Sequence, residues 1–136
     1  MHHRAHGLIW ALAAAPALAD PVPPADYLAA MAGTTVTWHD PTGKLGGHQR
    51  FASDGRTAWF EFPDGQCAEF LFEPLDPASP SFCYVSRGPA AEDQCWKPFR
   101  DAAGWYAHRT DIRNGARLRA TPDPGRPVCE AALAVS

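Results

Sequence analysis

No apolar run in this 136-residue chain is long enough to cross a bilayer. The one candidate, Leu8 to Ala19, is interrupted only by Pro16 and covers 12 residues, whereas a permanent helical span needs ~20. Its flanks are those of a cleavable leader. Arg4 precedes it, and Ala17-Leu18-Ala19 ahead of Asp20 supplies the small-x-small pattern that signal peptidase requires. Residues 1–19 are therefore expected to leave as a signal peptide, and 20–136 to fold as one secreted or periplasmic domain with no membrane span.

Positive charge is also in short supply. The chain has 12 basic and 15 acidic residues, a net charge of -3. Losing Arg4 with the leader gives 11 against 15, or -4. That balance offers no nucleic-acid footprint. The basic residues that exist are late. Arg109, Arg113, Arg117, Arg119 and Arg126 crowd the last part of the chain, as a basic patch or as a solvated β-face.

Reaction centres are missing too. There is no C-x-x-C and no H-E-x-x-H, so zinc sites of those spacings are excluded. No G-x-S-x-G elbow surrounds Ser53, Ser79, Ser81 or Ser86. His39 and His48 flank one turn and could meet at an ion only if their strands pair there, with His108 joining from elsewhere; histidines at a loop rim are the plainer reading. Glu61, Glu69 and Glu73 could share a face as an acid–base pair. Their alternation with Phe60, Phe62, Phe70 and Phe72 reads more simply as the wet side of a half-buried sheet. Neither an enzyme nor a cofactor is expected.

What the chain has is turns. Asp54-Gly55 and Asp64-Gly65 separate short aromatic-rich runs, the local signature of consecutive antiparallel hairpins. Strands are expected at Thr34–His39, His48–Ser53, Arg56–Phe62, Cys67–Glu73, Phe82–Arg87, Gln94–Arg100, Gly104–Arg109 and Gly115–Thr121, with a last apolar run over Val128–Val135. Pro74, Pro77 and Pro80 make Glu73–Ser81 a surface connection, and Pro98 pushes the second half of its strand toward an edge or bulge. Ahead of the strands, Ala25–Met31 reads as a short helix whose Tyr27, Leu28 and Met31 would pack on the sheet or plug an opening. The fold class is all-β: an antiparallel up-and-down meander of about eight strands closing into a small barrel, with a two-sheet sandwich as the alternative. Closure is favoured because it removes exposed edges.

The four cysteines, Cys67, Cys83, Cys95 and Cys129, all follow the leader and would oxidise outside the cytoplasm. Three pairings are open. Phe82–Val85 and Gln94–Trp96 read as neighbouring strands, which favours Cys83 with Cys95 and leaves Cys67 for Cys129. The aromatics of the mature chain are plentiful, with four Trp, three Tyr and seven Phe. They either fill a solid interior or wall a cavity. In the second case Trp38, Trp59, Phe70, Tyr84, Trp96 and Trp105 would line a site for a small apolar or amphipathic ligand, with Arg117 at its mouth.

Gly-Thr-Thr-Val-Thr-Trp at Gly33–Trp38, Asp-Gly-Arg-Thr-Ala-Trp at Asp54–Trp59 and the Phe-Cys-Tyr and Cys-Trp strands resemble small periplasmic β-meander proteins of Gram-negative bacteria, lipocalin-like or avidin-like, mostly domains of unknown function. The resemblance implies a small barrel and supplies no catalytic residues. The Pro74–Pro80 insert and Cys129 depart from it. Two functions follow as expectations: a non-enzymatic binding module holding a ligand in its barrel, or a protein-interaction or inhibitor domain acting through loop 73–81 and the Arg-rich last strands on a periplasmic protein.

Overall fold

The computed structural model describes residues 19–88 and 91–130. The expected leader up to residue 18 and the end of the last apolar run lie outside the described residues. The described chain holds β1 (Asp20–Pro21), α1 (Pro24–Met31), β2 (Thr35–His39), β3 (Leu45–Phe51), β4 (Thr57–Glu61), β5 (Cys67–Phe72), β6 (Phe82–Arg87), β7 (Gln94–Asp101), β8 (Gly104–Arg109) and β9 (Arg117–Pro122).

β2 to β9 pair antiparallel in sequence order, and β9 returns to β2 through Trp38↔Ala120 and Thr37↔Thr121. The eight strands thus close a barrel. The sandwich alternative is excluded, because two separate sheets would leave β9 and β2 unpaired.

The short β1, which no turn or alternation signal in the sequence marks, pairs with β7 at Phe99 and Arg100. Its position explains Pro98. β7 runs beside β6 as far as Trp96 and beside β1 from Phe99, so the proline occupies the changeover between partners, where a missing N–H costs no ladder bond. Its carbonyl is still used, accepting from Val22 N at 3.1 Å.

Strand alternation sorts the side chains. Val36, Trp38, Gln49, Phe51, Ala58, Phe70, Phe72, Phe82, Tyr84, Trp96, Ala107 and Ala120 point inward and are buried. Large rings face small partners across the ladder: Phe70 opposes Ala58, Trp38 opposes Ala120, and Phe60 opposes Ala68. That alternation is how a narrow barrel fills without strain. At Gly47, opposite Trp38, φ is +145°, and a Cβ there would sit 2.8 Å from the Glu61 carbonyl and inside the Phe60 ring. Only glycine fits this approach.

The helix starts at Pro24, one residue earlier than expected, since proline is well placed in a first turn. It caps one end of the barrel. Tyr27, 1% exposed, stacks on Phe82 at 5.1 Å and meets Trp105 edge-on at 5.4 Å. Of its two possible roles, it plugs the opening.

Both disulfides pair as the strand reading favoured, Cys83 with Cys95 on the facing strands β6 and β7, and Cys67 with Cys129. The second has a consequence that spacing did not reveal. After β9 the chain leaves the barrel and runs over the outer face of β2, β3 and β4 to Cys67 at the start of β5. Beneath this strap lie Thr37 and His48, outward-facing yet only 7% and 8% exposed. The Thr37 hydroxyl donates to Asp123 Oδ2 at 2.8 Å, and His48 Nδ1 lies 2.8 Å from that Thr37 Oγ1. A hydroxyl has one proton. With that proton given to the carboxylate, Nδ1 must be the donor toward Thr37.

Candidate functional site

The barrel interior is occupied by the protein's own side chains. The space left among Tyr27, Trp38, Phe60, Tyr84, Trp96 and Leu118 is about 20 Å³, the room of roughly one water. Its polar groups are satisfied internally. Trp38 Nε1 donates to Gln49 Oε1 at 2.9 Å, while Trp96 Nε1 donates to Tyr84 Oη at 2.9 Å and Gln94 Oε1 at 3.0 Å, and Tyr84 donates to that same Gln94 oxygen at 2.8 Å. Burial holds the Tyr84 phenol well above the usual tyrosine range, so it stays a neutral donor.

The seven residues singled out from sequence do not line one site. Trp38, Phe70, Tyr84 and Trp96 share the filled interior. Trp105 stands at the helix-capped end, with the Arg100 guanidinium 4.9 Å from its ring. Trp59 has the opposite strand phase and lies on the outer face in register with Arg50 and Glu69. Arg117 is exposed on the outside of β9. Nor do the carboxylates and histidines converge: no group of three His, Cys, Asp or Glu able to hold a metal occurs among the described residues.

The larger concavity is outside. Phe99, Tyr106, His108, Arg117, Arg119 and Thr121 floor a trough of about 900 Å³ across the outer faces of β7, β8 and β9, walled by Ala19 on one side and by His39 with the Asp40–Gly43 turn on the other. The strap covers β2 to β4 and leaves this face open. Two cross-strand rows cross this face. One runs Lys97–His108–Arg117, of which His108 and Arg117 line the trough while the Lys97 ammonium lies 5.2 Å from the centre of the Phe99 ring; the other runs Phe99–Tyr106–Arg119–His39.

The charges in the second row are engaged. Arg119 passes over Tyr106, 5.8 Å from the ring centre, and donates to both Asp101 oxygens, at 2.9 and 2.6 Å. Gly104, opposite Asp101 on β8, offers no side chain to block that reach. The twin hydrogen bonds hold the Asp101 carboxyl down to about 2. Asp40 is turned into its own loop, accepting from Thr42 N and Oγ1 and from Lys44 N.

The first row is different. Partial burial, and then the cations Arg117 and Lys97, hold the His108 imidazole below its ordinary value. Among the described residues none of these three side chains enters an ion pair.

The five-arginine patch read from composition therefore breaks up. Arg109 is pinned to Asp111 at 2.9 Å at the uncapped rim, Arg119 to Asp101, and Arg126 lies 3.8 Å from Asp123. Only Arg117 of the five joins the trough as an unengaged cation, with His108 beside it and Lys97 next in the row, residues that composition did not pick out. The available signal was strand phase: Lys97 and Phe99, Tyr106 and His108, and Arg117 and Arg119 each recur at a spacing of two. Loop 73–81 is elsewhere, its Leu75 packed toward α1 at the capped end.

No family model, curated protein or solved structure matches this chain. The small antiparallel barrel with two disulfides agrees with the architecture that the periplasmic β-meander resemblance implied; membership of that group has no support from a relative. No helix among the described residues is long and apolar enough to cross a membrane.

Proposed function

We propose that this chain is a secreted, non-enzymatic binding module whose binding surface is the outer trough over β7, β8 and β9. A single observation carries the reading: the interior offers about 20 Å³, while the open outer face offers about 900 Å³ floored by half-buried rings, His108 and the unpaired Arg117. Recessed surfaces of that mixed character are where ligands settle. Residues 1–19 serve as the leader and 20–136 as the single mature domain, exported to the periplasm or beyond, where its disulfides form.

A ligand held in the barrel, the other reading, is favoured by the apolar wall and by the Gln49 and Tyr84 polar groups. It requires Phe60 and Leu118, both only partly buried, to swing away and admit it.

Amide exchange mapped by mass spectrometry, on the secreted protein mixed with an extract of its own cell envelope, separates the two. Protection over 97–108 and 117–121 is expected. Protection confined to the interior strands β4 and β5 would transfer the site to the barrel and sink the outer-face reading. Intact mass of the secreted chain beginning at Asp20 tests the cleavage.

A further inference from the structure

We propose that residues 123–127 form an acid-sensitive strap: latched through Thr37 to His48 at neutral pH, the segment lifts off the outer face of β2 and β3 when His48 takes up a second proton, while the barrel beneath stays closed. The strap lies away from the trough, so this device stands independently of the binding surface proposed above.

The strap follows one cross-strand row. Thr121, Thr37, His48, Glu61 and Cys67 are successive partners across β9, β2, β3, β4 and β5, and the chain after Pro122 crosses above them to the Cys67–Cys129 bridge. Its two ends are held differently. Val128 and Cys129 are buried, and the disulfide fixes them. Residues 124–127 are exposed, and among the described residues a single main-chain hydrogen bond, from Asp123 N to the Thr35 carbonyl at 2.9 Å, ties 123–127 to the barrel; the Arg126 N–H turns back to Asp123. A segment with so little buried surface and one backbone bond opens at far lower cost than the strands below it.

The latch is a buried polar chain. The Thr37 hydroxyl donates to Asp123 Oδ2 and accepts from His48 Nδ1, both at 2.8 Å. The neutral ring thus carries its proton on Nδ1. The next proton goes to Nε2, which makes no hydrogen bond among the described residues, and it would charge a ring covered by the strap.

Every charged group facing His48 enters the balance. Burial is the largest effect and opposes the charge, as do Arg126 of the strap and His39 of β2; Glu61 of β4 and Asp123 of the strap favour it without restoring the ordinary value. Lifting 123–127 returns the ring to water and removes the largest of these penalties. The open strap therefore binds the proton more readily than the closed one. Closure is fully favoured above the open-state value near 6.5 and weakens as pH falls through it toward the lower closed value.

Amide exchange followed by NMR on the secreted protein, corrected for the intrinsic pH dependence of exchange, reads the strap at the Asp123 N–H and the barrel at β6 and β7. Between pH ~7.5 and ~5.5 the Asp123 protection should fall severalfold, with a ceiling of about tenfold set by the titration of a solvated histidine. Protection in β6 and β7 should stay constant. In His48→Gln, whose amide can still donate to Thr37, the fall should vanish.

An Asp123 protection indifferent to pH, a fall shared equally by β6 and β7, or a fall that persists in His48→Gln overturns the proposal. Should that variant not fold, the His48 ring resonances of the unsubstituted protein decide: a titration midpoint shared with the Asp123 amide upholds the latch, and separate midpoints overturn it.

Discussion

The hydroxyl of Thr37 donates to the carboxylate of Asp123 across 86 positions of sequence, at 2.8 Å. That contact fastens the end of the chain to the outside of the barrel and puts His48 under cover.

The link is testable by shape-conserving substitution. Thr37→Val removes the shared hydroxyl and strands two groups at once, the His48 Nδ1–H and an Asp123 oxygen. A loss of about 1–3 kcal/mol in urea unfolding is expected. Thr35→Val, on a half-buried neighbour, serves as the control and should be nearly neutral.

His48 also makes stability depend on pH. Burial, and then the nearby Arg126, lower its folded pKa, so the unfolded chain binds the proton more readily. The contribution is fully present above the unfolded value near 6.5, and is lost as pH falls through it toward the lower folded value. Midpoints of chemical unfolding should therefore decline below pH ~6.5, and less so in His48→Gln. Asp101 acts far from this window: its depressed pKa contributes stability above the ordinary carboxylate value, lost only as pH falls toward about 2.

The disulfides should differ in weight. Cys67–Cys129 closes a separation of 62 residues and Cys83–Cys95 one of 12. On chain entropy, replacing the first pair by serine costs about 4 kcal/mol and the second about 3. The longer pair has a second readout. Without it the strap is held by the Asp123 N–H bond to the Thr35 carbonyl and by side-chain contacts, and amide protection around Thr37 and His48 should fall while that of β6 and β7 persists. Equal loss over the whole barrel would refute the strap's independence.

Inside the barrel, two substitutions that look alike should part company. Gln49→Leu deprives the buried Trp38 indole of its acceptor and is expected to cost about 1–3 kcal/mol. Tyr84→Phe leaves Trp96 Nε1 still bonded to Gln94, so about 0.5–1.5 kcal/mol is expected. Thermal unfolding of both variants checks the order.

Gly47→Ala tests the close approach of β3 to β4. The new methyl meets a backbone carbonyl and a ring at a positive φ, and a loss of about 2–3 kcal/mol follows. The same change at Gly43, with φ +84° and open space around it, should cost about 1 kcal/mol from backbone strain alone.

Much of this molecule was legible in the amino-acid order, because the features concerned are local. Asp-Gly pairs dictate tight turns, a period of two assigns faces, and prolines at 74, 77 and 80 forbid a central strand. Cys83 and Cys95 could be matched because their strands are neighbours in sequence. What folding in three dimensions alone decided depends on sums and registers over distant residues. Whether rings leave a hollow is a question of total volume, and here opposing alanines let Trp38, Phe60 and Phe70 close the lumen. The row Lys97–His108–Arg117 exists only because β7, β8 and β9 pair in one particular register, and a slip of one residue would scatter it between the two faces. The path of the strap was likewise invisible, since a separation of 62 residues says which sulfurs join and nothing of the surface crossed between them.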